Sequence, residues 1–341
     1  MPRVVLAPDK FRGTADATDV AAAMATAATG LGWHVTPLPM SDGGEGFLDA
    51  ASVRCPSLVT TTVTGPDGRA VAARWRYGDG IAVVESAQAS GLTLAGGVGR
   101  NDPLAATSRG TGELVVVAAR QVGDAGTVIV GLGGSATTDG GLGAVEAVEE
   151  AGGLGGTTLI AACDVDVGFL DAARRFGPQK GADADQVVVL GERLEHLAEV
   201  YRDRYGVDVV SSAGAGAAGG LGGGLSVVGA TLVSGFEVVS ELVGLAGALD
   251  GADRVVTGEG SLDASSFTGK LVGGVIAAAR ARGIATLVVA GRSTADGEER
   301  ARAAGCRVVS LTDRFGARSA MDRTVACVTE VTAEWLGSSP D

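Results

Sequence analysis

Trp33-His-Val-Thr-Pro-Leu38, running into Pro39-Met-Ser-Asp42-Gly-Gly-Glu45-Gly46, reads as a short strand that ends in glycine mixed with acid. Glycine lets a backbone approach a ligand closely, and a carboxylate beside it can hold a divalent cation or take a proton. In open parallel sheets ligands bind beyond the carboxyl ends of strands, where helix N-termini also point. Three further stretches share the pairing of glycine with acid or with a phosphate-sized turn: Gly131-Leu-Gly-Gly-Ser135-Ala-Thr-Thr-Asp139-Gly-Gly, Gly214-Ala-Gly-Ala-Ala-Gly-Gly, and Gly258-Glu-Gly260 with Asp263. Together they point to phosphate and metal chemistry.

Outward from the first stretch, residues 3–7 read as a strand, 15–28 as a helix closed by Gly30, and 33–38 as a second strand. The C-terminal hundred residues repeat the pattern, with strands at 254–257, 286–290 and 307–311, helices near 270–282 and 297–304, and Glu259 directly after a strand. Between these ends, residues 60–84 alternate as a β-hairpin turning at Gly65-Pro-Asp-Gly68. The expected fold is α/β in two domains. One, residues 1–60 plus 235–341, is a parallel-sheet domain built from both chain ends; residues 61–234 form an inserted mixed α/β domain.

The 341 residues are 46% hydrophobic but only 4% aromatic, with 56 glycines, so the core is built from small aliphatic side chains and close backbones. A net charge of −13 excludes a broad nucleic-acid footprint. Anionic ligands must then be met locally. The chain has three lysines, Lys10, Lys180 and Lys270, against 24 arginines, and each lysine lies beside a glycine-containing turn. There a compact ammonium serves phosphate as a point charge, although a bias toward arginine accounts for the count equally well. Cys55, Cys163, Cys306 and Cys327 are scattered, which suggests neither a disulfide framework nor a zinc site and fits the cytoplasm. Residues 209–236 carry no charge, yet nine glycines argue against a membrane span and for a tight turn opening a buried helix.

Competing motifs are weaker. Residues 131–136 follow a strand as G-x-G-x-x-A, with Glu149 and Glu150 near the place of a ribose-binding acid, so a dinucleotide site is available. It leaves Asp139 unexplained. The nearest approach to a Walker A loop, around Gly269-Lys270-Leu271, lacks the first glycine and the hydroxyl, and protein-kinase signatures are missing. With only His34 and His196, general acid–base work falls to carboxylates. Each acid taken singly is equally at home as a helix N-cap.

The motifs, in order, resemble those of the class I glycerate kinases: Ala7-Pro-Asp9, residues 39–46, Gly110-Thr-Gly-Glu-Leu114, residues 133–141, Ala162-Cys-Asp-Val165, Phe176-Gly-Pro-Gln-Lys-Gly181, residues 214–220, and Thr257-Gly-Glu-Gly260 with Asp263 and Gly269-Lys270. The likeness covers nearly the whole chain. It implies ATP-dependent phosphorylation of D-glycerate to a phosphoglycerate with Mg²⁺, a flavodoxin-like domain from the chain ends, and a cleft against the inserted domain. Carried over by motif, Asp42, Glu45, Asp139, Asp164, Lys180, Glu259, Asp263 and Lys270 line that cleft. Within this set the catalytic candidates are Asp42, as base, with Asp139, Asp263 and Lys270. The nucleotide candidates are Gly133, Gly134, Ser135, Lys180, Gly214, Gly216 and Glu259, and the metal candidates Asp139, Glu259 and Asp263. A homodimer is compatible with this reading.

Departures from the family pattern concentrate near the motifs: Lys10 and Arg12 in place of Ser and Lys, Phe47 for Thr, Arg109 for Tyr, Ser261 for Arg, and Ser265 and Thr268 for Gln and His. The chain is also shorter between Glu150 and Leu159, and Asp166-Val-Gly-Phe-Leu replaces an Asn-Pro-rich loop. They keep open a kinase for another small polyol or hydroxy acid, and a silent nucleotide- or metabolite-binding homologue.

Overall fold

The computed structural model describes residues 1–338. The chain divides into two compact units, one of residues 1–42 and 236–341, the other of residues 43–235. In chain order, the first unit opens with β1 (Arg3–Pro8) and β2 (His34–Pro37), joined by the helix Ala17–Gly30. Asp16 caps that helix by accepting from the Asp19 N–H. The second unit holds β3 (Ser57–Thr64), β4 (Ala70–Gly78), β5 (Ile81–Glu85), β6 (Thr127–Gly131), β7 (Thr158–Ala162) and β8 (Thr231–Val233). The chain then returns to the first unit for β9 (Arg254–Leu262), β10 (Ala285–Ser293) and β11 (Arg307–Ser310).

All five strands of the first unit are parallel, in the order β2-β1-β9-β10-β11. Counted within this unit that is 2-1-3-4-5, the flavodoxin-like order, and its switch point lies between β1 and β9. The expected α/β class with a flavodoxin-like sheet is therefore met. Val4, Leu6, Val256, Leu287 and Val289 of the sheet pack with Val20 and Met24 of the first helix and Val328, Val331 and Trp335 of the helix Thr324–Gly337.

One expectation needs correction. Glu259 does not follow its strand; it lies inside β9, which runs on to Leu262. Pairing with β1 stops at Pro8 and Gly258, but β9 and β10 continue as a ribbon through Ala290 and Glu259, Arg292 and Ser261, and Ser293 and Leu262. The apolar run ends at Thr257, whereas a ladder is held by backbone groups and needs no apolar side chain.

In the second unit β3, β4 and β5 form an antiparallel meander, and β5 to β8 continue parallel, giving one mixed sheet. The turn is where the sequence placed it: the Gly65 N–H donates to the Arg69 carbonyl and the Gly68 N–H to Gly65. The helix Arg109–Val122 covers this sheet, burying Leu114, Val115 and Ala118. A separate apolar cluster joins Leu190, Leu194 and Tyr201 of the helix Ala184–Tyr205 to Phe169 and Ala172. That helix starts at a capping box between Asp183 and Gln186 and stops at Gly206. No helix of the described residues is long and apolar enough to cross a membrane; the uncharged stretch supplies a turn and the helical run up to Val227.

Candidate active site

In the first unit the carboxyl ends of β1, β2 and β9 carry most of the chemistry. The Asp9 N–H donates to the Gly258 carbonyl at 2.8 Å, which puts Asp9 at the β1–β9 switch point. Burial, then the neighbouring Asp42 charge, pushes the Asp9 carboxyl up to about 6, with Lys10 and Arg12 opposing. Asp42 follows β2; its Oδ1 lies 3.3 Å from Lys10 Nζ and its Oδ2 3.9 Å from an Arg12 nitrogen. Lys10 and Arg12, two of the departures, thus bracket the candidate base.

Glu259 is pushed up to about 7, first by burial and partly by Asp9 and Asp263, while Ser266 and Lys270 pull it down. Its Oε1 is buried with no hydrogen-bond partner. An orphaned buried carboxylate oxygen carries a desolvation cost that a cation would relieve. Among the described residues no three His, Cys, Asp or Glu side chains gather into a metal cage. Mg²⁺ asks for less, taking one or two carboxylates together with substrate phosphates and water. The donor set at Glu259 fits that requirement.

Asp263 does what the bland reading of an acid after glycine expects. It caps the short 3₁₀ turn Ala264–Phe267, accepting from Ser265 N at 2.8 Å and Ser265 Oγ at 2.6 Å, and its own N–H donates to Ser266 Oγ at 3.1 Å. The Ser265 bonds hold its carboxyl below the usual range. Lys270 Nζ donates to the same Ser265 Oγ at 2.6 Å, so one serine links the two.

The second unit gathers its glycine stretches by backbone contact. A Cβ added at Gly131 would sit 2.1 Å from the Gly43 carbonyl oxygen, and one at Gly133 2.7 Å from Gly44 Cα. Only glycine permits this approach of the 43–46 loop to the loop after β6. Glu85, at the end of β5, accepts from the Leu48 N–H at 2.9 Å and so anchors the helix Phe47–Ala50 behind that loop. Burial raises the Glu85 carboxyl, opposed by the Leu48 amide. Phe47 is fully buried and packs toward Gly131.

Lys180 is 3% exposed, and its Nζ donates to Ser135 Oγ at 2.9 Å and to the Thr137 carbonyl at 2.5 Å. Burial pulls it down to about 7, with the Asp139 charge opposing. Asn101 Nδ2 donates to the Ala136 and Lys180 carbonyls, and the Tyr201 hydroxyl donates to the Gly140 carbonyl. The turn 214–220 docks on the same loop through the Gly140 N–H and the Gly219 carbonyl at 3.1 Å. Ala218, Gly219 and Gly220 are all left-handed, and a Cβ at Gly219 would lie 2.0 Å from the Thr137 carbonyl oxygen.

Asp139 is heavily engaged. Its Oδ2 accepts from Ser108 N at 2.7 Å, Ser108 Oγ at 2.8 Å and Gly143 N at 3.4 Å, and its Oδ1 from Gly141 N at 3.2 Å. As a metal ligand it would surrender these bonds; as it stands it fixes the loop. Of the metal candidates, Glu259 and Asp263 share the first unit and Asp139 belongs to the second. Asp164 accepts from Ser234 Oγ at 3.2 Å, and Glu45 is exposed. Gly133, Gly134, Ser135, Gly214 and Gly216 all lie in the loops that meet around Lys180 and the 43–46 segment. Arg109 is taken up by Glu113 and Glu150.

The dinucleotide alternative loses its geometry. The helix after Gly131 starts only at Leu142, and Glu149 and Glu150 pair with Arg204 and Arg109. Asp9, Glu85 and Asn101 carry no strong site signal in the sequence; Asp9 is visible only as part of Ala7-Pro-Asp9, and nothing local marks the other two.

Comparison with known proteins agrees. The profile of the glycerate kinase family matches residues 4–152 and 150–336. An uncharacterized protein of Mycobacterium bovis is 40% identical over 309 residues, covering 86% of this chain and 80% of that protein. Glycerate 2-kinase of Escherichia coli K12 is 37% identical over 331 residues, covering 86% of each. A solved Salmonella typhimurium LT2 structure carrying the name glycerate kinase 2 matches with a TM-score of 0.80 at 31% identity, over 98% of both chains. With matches spanning almost its full length, the chain belongs to the glycerate kinase family.

Proposed function

We propose that this protein transfers the γ-phosphoryl group of ATP to a hydroxyl of D-glycerate, with Mg²⁺, in the cytoplasm. The observation that carries this reading is Asp42, held by Lys10 and Arg12 beyond the carboxyl end of β2, beside the switch point. The acceptor oxygen attacks the γ-phosphorus, the bond from that phosphorus to the bridging oxygen of ADP breaks, and the hydroxyl proton passes to the Asp42 carboxylate. Mg²⁺, when bound, neutralises charge on the phosphate oxygens. Glu259 is assigned to hold it, with Asp263 beside it fixing Lys270 through Ser265.

The backbone of Gly133, Gly134, Gly214 and Gly216 and the Ser135 hydroxyl are assigned to the nucleotide phosphates, supported from beneath by Lys180. Asp139 is assigned to hold this loop. The name of the Escherichia coli relative puts the 2-hydroxyl of glycerate first. Burial of Phe47 takes away one motive for a different acceptor, since that side chain packs inward.

The test is ADP release with ATP-Mg²⁺ and D-glycerate, L-glycerate or glycerol, with the phosphorylated position read by NMR. Turnover on D-glycerate is expected. Turnover on another polyol alone would replace the acceptor, and binding of ATP without turnover on any hydroxy acid would favour the silent homologue.

A further inference from the structure

A carboxylate-bearing acceptor must approach an edge that already holds Asp9, Asp42, Glu259 and Asp263 in the same unit. It needs a cation whose charge is not already taken. Lys10 and Arg12 face Asp42. Lys270 donates to Ser265 Oγ, and its charge acts on the Glu259 and Asp263 carboxylates, pulling both down. Arg292 differs: it stands on the β9–β10 ribbon directly opposite Ser261, and its Nε donates to Ser261 Oγ at 3.1 Å. It forms no ion pair among the described residues, and the side chain is exposed.

A guanidinium carries five donors in a rigid plane, and fixing Nε sets the direction of the remaining four. The two terminal nitrogens are then presented as a fork, the geometry that takes a carboxylate through two parallel bonds. The ribbon supplies the placement, because it carries Arg292 past the point where β9 leaves β1, on the same strand ends as Glu259.

We infer that Arg292, oriented by Ser261, binds the carboxylate of the acceptor and makes the enzyme select a hydroxy acid over a neutral polyol. This rests on the kinase reading above. The test is the KM for D-glycerate, for ATP and for glycerol in the wild type, Arg292→Met, Arg292→Lys and Ser261→Ala, with calorimetric D-glycerate binding measured alongside. Loss of charge-assisted hydrogen bonds is expected to raise the D-glycerate KM of Arg292→Met about tenfold to a hundredfold. The ATP KM should stay near that of the wild type and report intact folding. Arg292→Lys keeps the charge but loses the fork, so it should fall between wild type and Arg292→Met, and Ser261→Ala should show a smaller rise.

Preference for D-glycerate over glycerol should shrink in the same order. An unchanged D-glycerate KM in Arg292→Met, with an active wild type, overturns the assignment while leaving the kinase reading intact. An equal rise in the ATP KM also overturns it, since Arg292 would then meet the nucleotide. Failure of the wild type to bind or turn over D-glycerate removes both.

Discussion

The two units present candidate groups of opposite kinds. At the strand ends of the first, the chemistry sits in side chains: two acids pushed up by burial, Asp9 and Glu259, and the acid Asp42 bracketed by two cations. In the second it sits in the backbone, with glycine loops in contact and a single buried ammonium under them. Asp139, the acid of the glycine loop after β6, is fully occupied by amides and a hydroxyl of its own unit. An acid in a glycine motif therefore does not announce its role. What separates the two is that Asp42 faces charged side chains, Lys10 and Arg12, while Asp139 faces amides and a hydroxyl of its loop.

The largest expected effect tests that distinction. Asp42→Asn should cost about 10²- to 10⁴-fold in kcat, the range for losing a general base, with little change in melting temperature. Asp139→Asn keeps the shape but turns one of the two acceptor oxygens into a donor, facing either the amide of Gly141 or those of Ser108 and Gly143. It should show instead a lowered melting temperature and a raised ATP KM. If Asp139→Asn lost turnover as deeply as Asp42→Asn at unchanged stability, Asp139 would be acting on substrate and the contrast would fail.

How much of this is legible in the chain differs by element. The apolar stretches at 4–7, 255–256 and 287–290 mark the parallel strands, because strands buried on both faces are apolar at successive positions. The ribbon is not legible, since Gly258-Glu-Gly-Ser261 joins a ladder through its backbone while its side chains read as a loop. Arg292 is hidden for the same reason: only strand register sets it opposite Ser261. The helix Ala184–Tyr205 is absent from the expected elements, although Asp183 and Gln186 mark its start. At the site, glycine turns and the acids beside them could be picked out, but the division of labour among them could not. That division depends on burial and on which donors converge, as at Glu259, Asp139 and Lys180.

The intermediate effect probes Lys180. Lys180→Met leaves Ser135 Oγ and the Thr137 carbonyl without their donor, which should cost about 1–3 kcal/mol. The sign of its pH dependence follows from the lowered pKa. An unfolded lysine keeps its proton to about 10.4, whereas the buried one sheds it near 7. Between those values the unfolded chain binds more protons, so this group makes stability rise with pH. The stability gap between wild type and Lys180→Met should widen from pH 7 to pH 9.5 in urea titrations. A gap independent of pH would mean that the two acceptors keep the ammonium charged throughout, and that the loop carries a permanent positive charge.

The smallest effect is expected at Glu149, where the dinucleotide fingerprint would place a ribose ligand. Its carboxylate lies 3.1 Å from an Arg204 nitrogen and accepts from the Tyr205 hydroxyl at 2.8 Å, in an exposed cluster on the second unit. Exposed pairs of this kind are worth about 0–1 kcal/mol. Glu149→Gln should therefore shift stability by less than about 1 kcal/mol and leave the ATP KM and turnover unchanged, because the side chain serves a surface contact with Arg204 and Tyr205. A large loss of nucleotide affinity in this variant would mean that the helix Leu142–Glu150 takes part in nucleotide recognition. The second unit would then use a side-chain acid after all, and the contrast between backbone and side-chain recognition would have to be redrawn.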